Sequence, residues 1–273
     1  MIGGGKAGNI ISPNPNTIAV SEAFKVDLTS LMMKNFISAI CAVVVTILLS
    51  TMLSKKQGVQ VTENDLEQKE DKNLPSFIQA VAGPVVVVIL LALRPVASIV
   101  IDPLIALPVG GVVCALACGQ IKNIREYAEF GLGKVVGVSV LLIGTGTIAG
   151  IIKASALQYD VVHILKMANM PAFLLAPIAG ILMAGATAST TAGATIGAQT
   201  FAGTLIKSGV SALSAGAMVH AGATVIDSLP HGSFFHATGG AAGLEIKERM
   251  KLIPYEMCVG LTSTVVAVMM YVI

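Results

Sequence analysis

Charge is what this sequence has least of. Of 273 residues, 12% are charged, against roughly twice that in an ordinary soluble domain, while 55% are hydrophobic and the mean hydropathy is +0.84. A normally hydrated globular surface is excluded. Aromatics are scarce too, at 4%, and the net charge is only +2. With no basic arm and no basic patch interleaved with aromatics, nucleic acid is excluded as a partner. The four cysteines, Cys41, Cys114, Cys118 and Cys258, lie inside apolar runs and are expected to be free, small hydrophobes with no disulfide. Cys114 and Cys118 stand one helical turn apart, but nothing nearby would complete a metal site. The opening MIGGGKAGNIISPNPN lacks a basic start followed by an apolar core, so it is not a signal peptide. It begins in glycine-rich polar chain, as a sequence would that starts partway through a larger protein.

Long apolar runs fill the space that charge leaves. A helix needs about 20 residues to cross a bilayer, and residues 35–53, 76–93, 103–119, 135–152, 171–186, 210–226 and 257–273 are the candidates. Arg94 and Asp102 mark one membrane face and are expected to pair structurally. Residues 55–72, with four lysines and five acids, form a hydrated linker. Residues 120–134 form an amphipathic loop on the side opposite Arg94, and the positive-inside rule makes that side cytoplasmic. Gly146 and Gly150 stand in GxxxG spacing, which permits close helix packing. Residues 153–170 suggest an interfacial helix with His163 on its surface. Tyr255 and Glu256 are expected to anchor the last span at an interface.

The chain is organised around residues 217–252, AMVHAGATVIDSLPHGSFFHATGGAAGLEIKERMKL. A small-residue apolar segment runs into Asp227, Ser228, Pro230 and His231. Pro230 breaks the helix there, and the glycines beyond it tolerate unusual backbone angles. Irregular backbone at membrane depth survives only where protein buries it or water reaches it. That pattern is expected of a substrate site built on discontinuous helices. A second break is predicted at SPNPNT, where Pro13 and Pro15 forbid a regular helix. Each proline-broken element is followed by a charged amphipathic stretch and an apolar span, an internal echo of the kind inverted repeats leave.

A third irregular place lies between them. Six hydroxyl residues, Thr187, Ser189, Thr190, Thr191, Thr195 and Thr200, fall within fourteen positions. Gly185, Ser189, Gly193 and Gly197 form a smooth ridge of small residues. Packing needs the ridge but not the surplus hydroxyls, so a re-entrant hairpin facing an anion or a coupling ion is expected.

The run Asp227-Ser228-Leu229-Pro230-His231-Gly232, with its Ala/Gly-rich approach and charged sequel, resembles the C-terminal signature of the gluconate:proton symporter (GntP) family of the ion transporter superfamily. SPNPNT falls where that family has its first proline motif, and residues 183–197 fall where it has a hydroxyl-rich hairpin. Two departures stand out. Asn14-Pro15-Asn16-Thr17 replaces His-Pro-Gly-Pro, and Gly232 replaces a usual Asn. The resemblance implies proton-coupled symport of gluconate or a related hydroxy-carboxylate.

A carboxylate substrate needs donors that are easily desolvated, and helix N-termini exposed at a break supply them. Ser12, Asn14, Asn16, Thr17, Ser189, Thr190, Thr191, Ser228 and Ser233 are the expected substrate contacts. Asp227 and His231 are the expected proton-coupling groups, since an imidazole titrates near neutrality and burial favours a neutral carboxyl. His220 is expected to pack, and His236 is a weaker candidate.

The expectation is therefore an all-α polytopic membrane protein of discontinuous helices and a re-entrant hairpin, one complete inverted-type repeat plus the end of another. Residues 1–54 would end the first repeat, 55–75 form a hydrophilic loop, and 76–273 make the second repeat and transport domain. It would be a multi-pass transporter of the cell inner membrane, not an enzyme, with no cofactor and no metal. Its partners would be membrane lipid, a small anionic substrate and a proton, with sodium as the other coupling ion. It would act as a homo-oligomer or with a missing N-terminal half. The rival readings are an inactive or accessory membrane fragment, and a membrane-embedded metal protein using His220, Asp227, His231 and His236. Against the metal, His231 and His236 are five residues apart, roughly 140° around a helix, whereas a zinc helix pairs i with i+4.

Overall fold

A computed structural model describes residues 2–56, 74–97, 99 and 101–273. The expected linker at 55–72 lies outside the described residues from position 57 on, as does the Arg94 side chain and with it the expected Arg94–Asp102 pair. Among the described residues there is no strand. The helices are α1 (Ile2–Ile11), α2 (Pro15–Phe24), α3 (Leu28–Lys34), α4 (Phe36–Lys56), α5 (Phe77–Ala97), α6 (Pro103–Ala117), α7 (Ile124–Ala154), α8 (Leu157–Met167), α9 (Leu175–Thr187), α10 (Thr190–Lys207), α11 (Ala212–Gly222), α12 (Ser233–Ala241), α13 (Ile246–Met250) and α14 (Ile253–Val272).

The all-α membrane architecture expected from hydropathy is present. Two segments, Phe36–Lys55 and Ile246–Val272, are long and apolar enough to cross a bilayer, and four shorter apolar helices accompany them. Only 17% of the first is buried, and its exposed face carries Ile37, Ile40, Val44, Ile47 and Leu48. Such a face suits lipid, which needs no polar cover.

Residues 1–52 with 139–273 form one compact unit, and residues 53–138 form another. The first unit has its core among α2, α3, α9, α10 and α11, where Val20, Phe24, Leu31, Phe201, Leu205, Met218 and Val219 are buried together. The second centres on the α5–α6 pair, with Val87, Leu91 and Ala106 between them. Gly83 and Gly110 let those helices touch, since a Cβ on Gly83 would lie 2.7 Å from the Gly110 carbonyl oxygen.

Several local expectations need correction. The glycine-rich opening is helical, as α1. Glycine disfavours a helix by about 1 kcal/mol per residue, but a Cβ at Gly3 would fall 2.2 Å from the Thr46 hydroxyl, so the absence of side chains lets α1 lie against α4. Ala7, Ile10 and Ala39 fill that contact. Residues 120–134 are not a loop. After a 3-10 turn at Ile121–Asn123 they begin the 31-residue α7, with an exposed Arg125–Glu129 pair one turn apart. The run at 76–93 does not stop at Arg94 and Pro95, for α5 continues to Ala97. Gly146 and Gly150 meet open space rather than a packed helix. Glu256 is buried, not an interface anchor. His163 is exposed and stacked on Tyr159, with ring centroids 5.8 Å apart.

Candidate functional site

Three interruptions of helix in the first unit bear on the site, two of them at prolines. The first separates α1 from α2. Asn14 caps α2, its side-chain oxygen accepting from the Asn16 and Thr17 amides at 2.9 and 3.1 Å, and Pro15 takes the first helical position, where a missing N–H costs nothing. The Thr17 hydroxyl donates back to the Ser12 carbonyl at 2.8 Å, and the Asn14 amide donates to the Ser12 hydroxyl and the Asn9 carbonyl, both at 2.8 Å. Ser12, Asn14 and Thr17 thus spend their polar groups on the break itself. None of them, nor Asn16, lines the cavity described below. Polar residues flanking a proline serve caps as readily as ligands, and composition alone does not separate the two uses.

The second interruption turns α9 into α10. Ala188 takes left-handed angles (φ 46°, ψ 42°) and Ser189 caps α10, its hydroxyl accepting from the Ala192 amide at 3.3 Å. The expected helical hairpin is therefore present. Its small-residue ridge is used for packing, since a Cβ at Gly193 would lie 2.5 Å from Ala184 backbone atoms.

The third interruption ends α11 at Gly222 and resumes with α12 at Ser233. Pro230 lies in the break and no helix passes through it. Gly232 precedes α12 with no side-chain cap, which leaves the first N–H groups of α12 uncapped by any side chain. A Cβ at Gly232 would stand 2.2 Å from the Ala188 carbonyl oxygen. The second and third breaks therefore touch, and the resemblance's usual Asn has no room here.

These breaks bring together a buried polar cluster. Lys6 of α1 is 2% exposed and Asp227 is 3% exposed. The Lys6 ammonium pairs with Asp227 Oδ1 and also donates to the Thr224 carbonyl, just past the C-terminal end of α11. The Thr190 hydroxyl donates to Asp227 Oδ2 at 2.5 Å, the Ser228 hydroxyl to Oδ1 at 2.9 Å, and the Asn9 amide to the Thr190 hydroxyl at 3.3 Å. Beside this cluster is a cavity of about 150 Å³, lined chiefly by Lys6, Asn9, Ser189, Thr190, Thr191, Asp227 and Ser233. That is below the ~300 Å³ at which drug-sized pockets begin, a size for a small solute or an ion. The second unit holds a larger cavity of about 720 Å³, walled by Pro108, Cys114, Cys118, Gln120 and Tyr127. Among the described residues its walls carry no ion pair and no carboxylate, whereas the smaller cavity has both.

Of the expected site residues, then, Ser189, Thr190, Thr191, Asp227 and Ser233 face one cavity, and Ser228 supports Asp227 from behind. His231 is exposed and outside it, and His236 is exposed with its ring edge-on to Phe235 at 5.3 Å between centroids. His220 is fully buried in α11. Among the described residues no group of three His, Cys, Asp or Glu side chains is placed to hold a metal. Sequence reasoning missed Lys6. A lysine three residues before an Asn and inside a glycine run looks like solvated chain; its one telltale is that it is the sole charge in the first 21 residues.

A second buried ion pair lies nearby in the chain. Arg249 Nη1 and Glu256 Oε1 are 2.6 Å apart, 1% and 3% exposed, an ion pair by distance although not aligned as a hydrogen bond. The guanidinium also donates to the Thr238 hydroxyl at 3.0 Å and lies 4.9 Å from the Phe235 ring centroid. It fastens α12 to α13 and α14.

A family model described as the Na+-H+ antiporter family matches residues 79–170. Over 271 residues the chain is 50% identical to an uncharacterized transporter of Haemophilus influenzae, covering 99% of this chain and 64% of that protein. The chain thus spans a little under two thirds of the length of the curated relative it matches. No solved structure matches it significantly. Both findings support a membrane transporter rather than an enzyme, and neither singles out the gluconate:proton symporters. The family match contains none of the residues lining the smaller cavity but includes those named around the larger one, whereas the Haemophilus transporter aligns across nearly all of the chain.

Proposed function

We propose that this chain carries out proton-coupled secondary transport of a small hydroxy-carboxylate across the inner membrane, at the cavity where the α9–α10 and α11–α12 breaks meet beside α1. The observation that carries this reading is a buried, ion-paired carboxylate, Asp227, beside a cavity that the N-terminal ends of α10 and α12 both reach. Helix N-termini carry about half a positive charge each and favour anions. Lys6, paired with Asp227 in this arrangement, adds the full positive charge that an anionic solute would face once Asp227 carries a proton. Asp227 is the proton's place, since a carboxylate is the group there that becomes neutral by gaining one. Ser189, Thr190, Thr191 and Ser233 supply hydroxyls for a hydroxy-acid, each able to donate and accept.

The family match on residues 79–170 favours a second reading, exchange of sodium for protons at the same pair. Sodium would take Asp227 as its ligand and Lys6 would give up its proton. Proteoliposomes holding the full chain separate the two. An inward proton gradient should drive accumulation of lactate or gluconate, and sodium should neither replace that gradient nor collapse it. A sodium-dependent proton flux with no acid uptake would establish the exchange reading instead.

A further inference from the structure

We infer that Lys6 exchanges counter-ions during the cycle, leaving Asp227 for the carboxylate of the substrate, so that one proton is taken up for each anion bound. This rests on the symport reading above and assigns Lys6 as the residue that recognises the anion. Lys6 is 2% exposed, and a buried ammonium without an opposing charge is strongly disfavoured. In the resting arrangement its opposite charge is Asp227. Lys6 and Asp227 are the charged residues that line the cavity, and the remaining polar contacts of Asp227, Thr190 and Ser228, are neutral hydroxyls. Two arrangements therefore keep the site balanced. Either Lys6 pairs with ionised Asp227 and the cavity holds no anion, or Asp227 carries a proton and an external carboxylate pairs with Lys6.

Charge balances across the step. One proton goes onto Asp227, one carboxylate enters, and the ammonium keeps its charge throughout. Nor does the rearrangement strand a polar group. Lys6 retains the Thr224 carbonyl, and the Thr190 hydroxyl, now a donor to Asp227, turns to accept the new Asp227 O–H and gives its own hydrogen to the entering carboxylate, since Thr190 lines the cavity. Proton without anion leaves Lys6 bare. Anion without proton places two carboxylates on one ammonium. Both half-loaded states are disfavoured by the same buried charge, which is what obligatory coupling requires.

The test is binding of lactate, added as its choline salt, to the purified full chain in weakly buffered solution at pH 7.5 with a pH indicator. The wild-type chain should take up one proton per lactate bound, and its affinity should fall roughly tenfold per pH unit above neutrality by linkage. Asp227→Asn, which stands for the protonated state, should bind lactate with no proton uptake and with an affinity that does not change between pH 6 and 8. Lactate should also raise its melting temperature more than that of the wild type, a readout that holds if the variant folds poorly without ligand. Lys6→Gln should lose lactate binding at every pH. Lactate binding without proton uptake by the wild-type chain, or undiminished binding by Lys6→Gln, overturns the inference. If acid accumulation in proteoliposomes nevertheless follows the proton gradient, the symport reading stands without it. If lactate and gluconate neither bind nor accumulate, both fall.

Discussion

The two buried ion pairs of the first unit look alike and are differently placed. Lys6–Asp227 joins residues 221 apart in sequence, sits where helix breaks converge, and faces a cavity. Arg249–Glu256 joins two helices adjacent in sequence, faces no described cavity, and has an aromatic ring and a hydroxyl around its cation. Both are taken out of water at a penalty of several kcal/mol per ion. Only the first has a neighbour space in which a third charge fits. We read the pair beside the cavity as able to change partners and the enclosed pair as a fastener.

The sharpest way to break this distinction is to replace each pair by apolar residues. Lys6→Met with Asp227→Leu should leave a folded chain whose acid accumulation in proteoliposomes falls to background. Arg249→Met with Glu256→Leu should retain accumulation and be neutral or more stable by about 1–4 kcal/mol, as apolar replacements of buried pairs often are. Reversal of those two outcomes would exchange the roles of the pairs. Next in size, Glu256→Gln strands Arg249 and should cost about 3–5 kcal/mol in a denaturation series. A melting curve close to that of the wild type would mean the guanidinium is hydrated.

A smaller effect is expected at the contact between breaks. Gly232→Ala puts a methyl group 2.2 Å from the Ala188 carbonyl oxygen, and overpacking of that kind costs about 1–3 kcal/mol. Because Ser233 and Phe234 line the cavity, transport should fall by more than the stability change accounts for. The smallest effect is expected at His231. Exposed and outside the cavity, it should tolerate alanine within about 0.5 kcal/mol, with unchanged proton-driven uptake. Loss of uptake in His231→Ala at full expression would return the imidazole to the mechanism.

Much of the architecture was legible in the residues, because it follows from local rules. Proline lacks a donor, so the breaks at 12–14 and around Pro230 could be placed without coordinates, and uncharged apolar runs marked the helices. The hydroxyl-rich turn at Ala188–Ser189 was legible for a different reason, since six hydroxyls within fourteen positions exceed what packing asks. The amphipathic stretch after Gln120 was misjudged because helix and polar loop share a composition there, and only continuity with the apolar run of α7 decides between them.

What the sequence alone determined is where proline interrupts the backbone and that uncharged apolar helices make up most of the chain, because both depend on properties of single residues and short runs. What only the tertiary structure decided is which polar side chains share one space. Lys6 and Asp227 meet across 221 positions, and Asn14 and Thr17 turn inward to cap a helix instead. A buried charge is stable only beside its partner, and the choice of partner is a fact of packing that no local pattern contains.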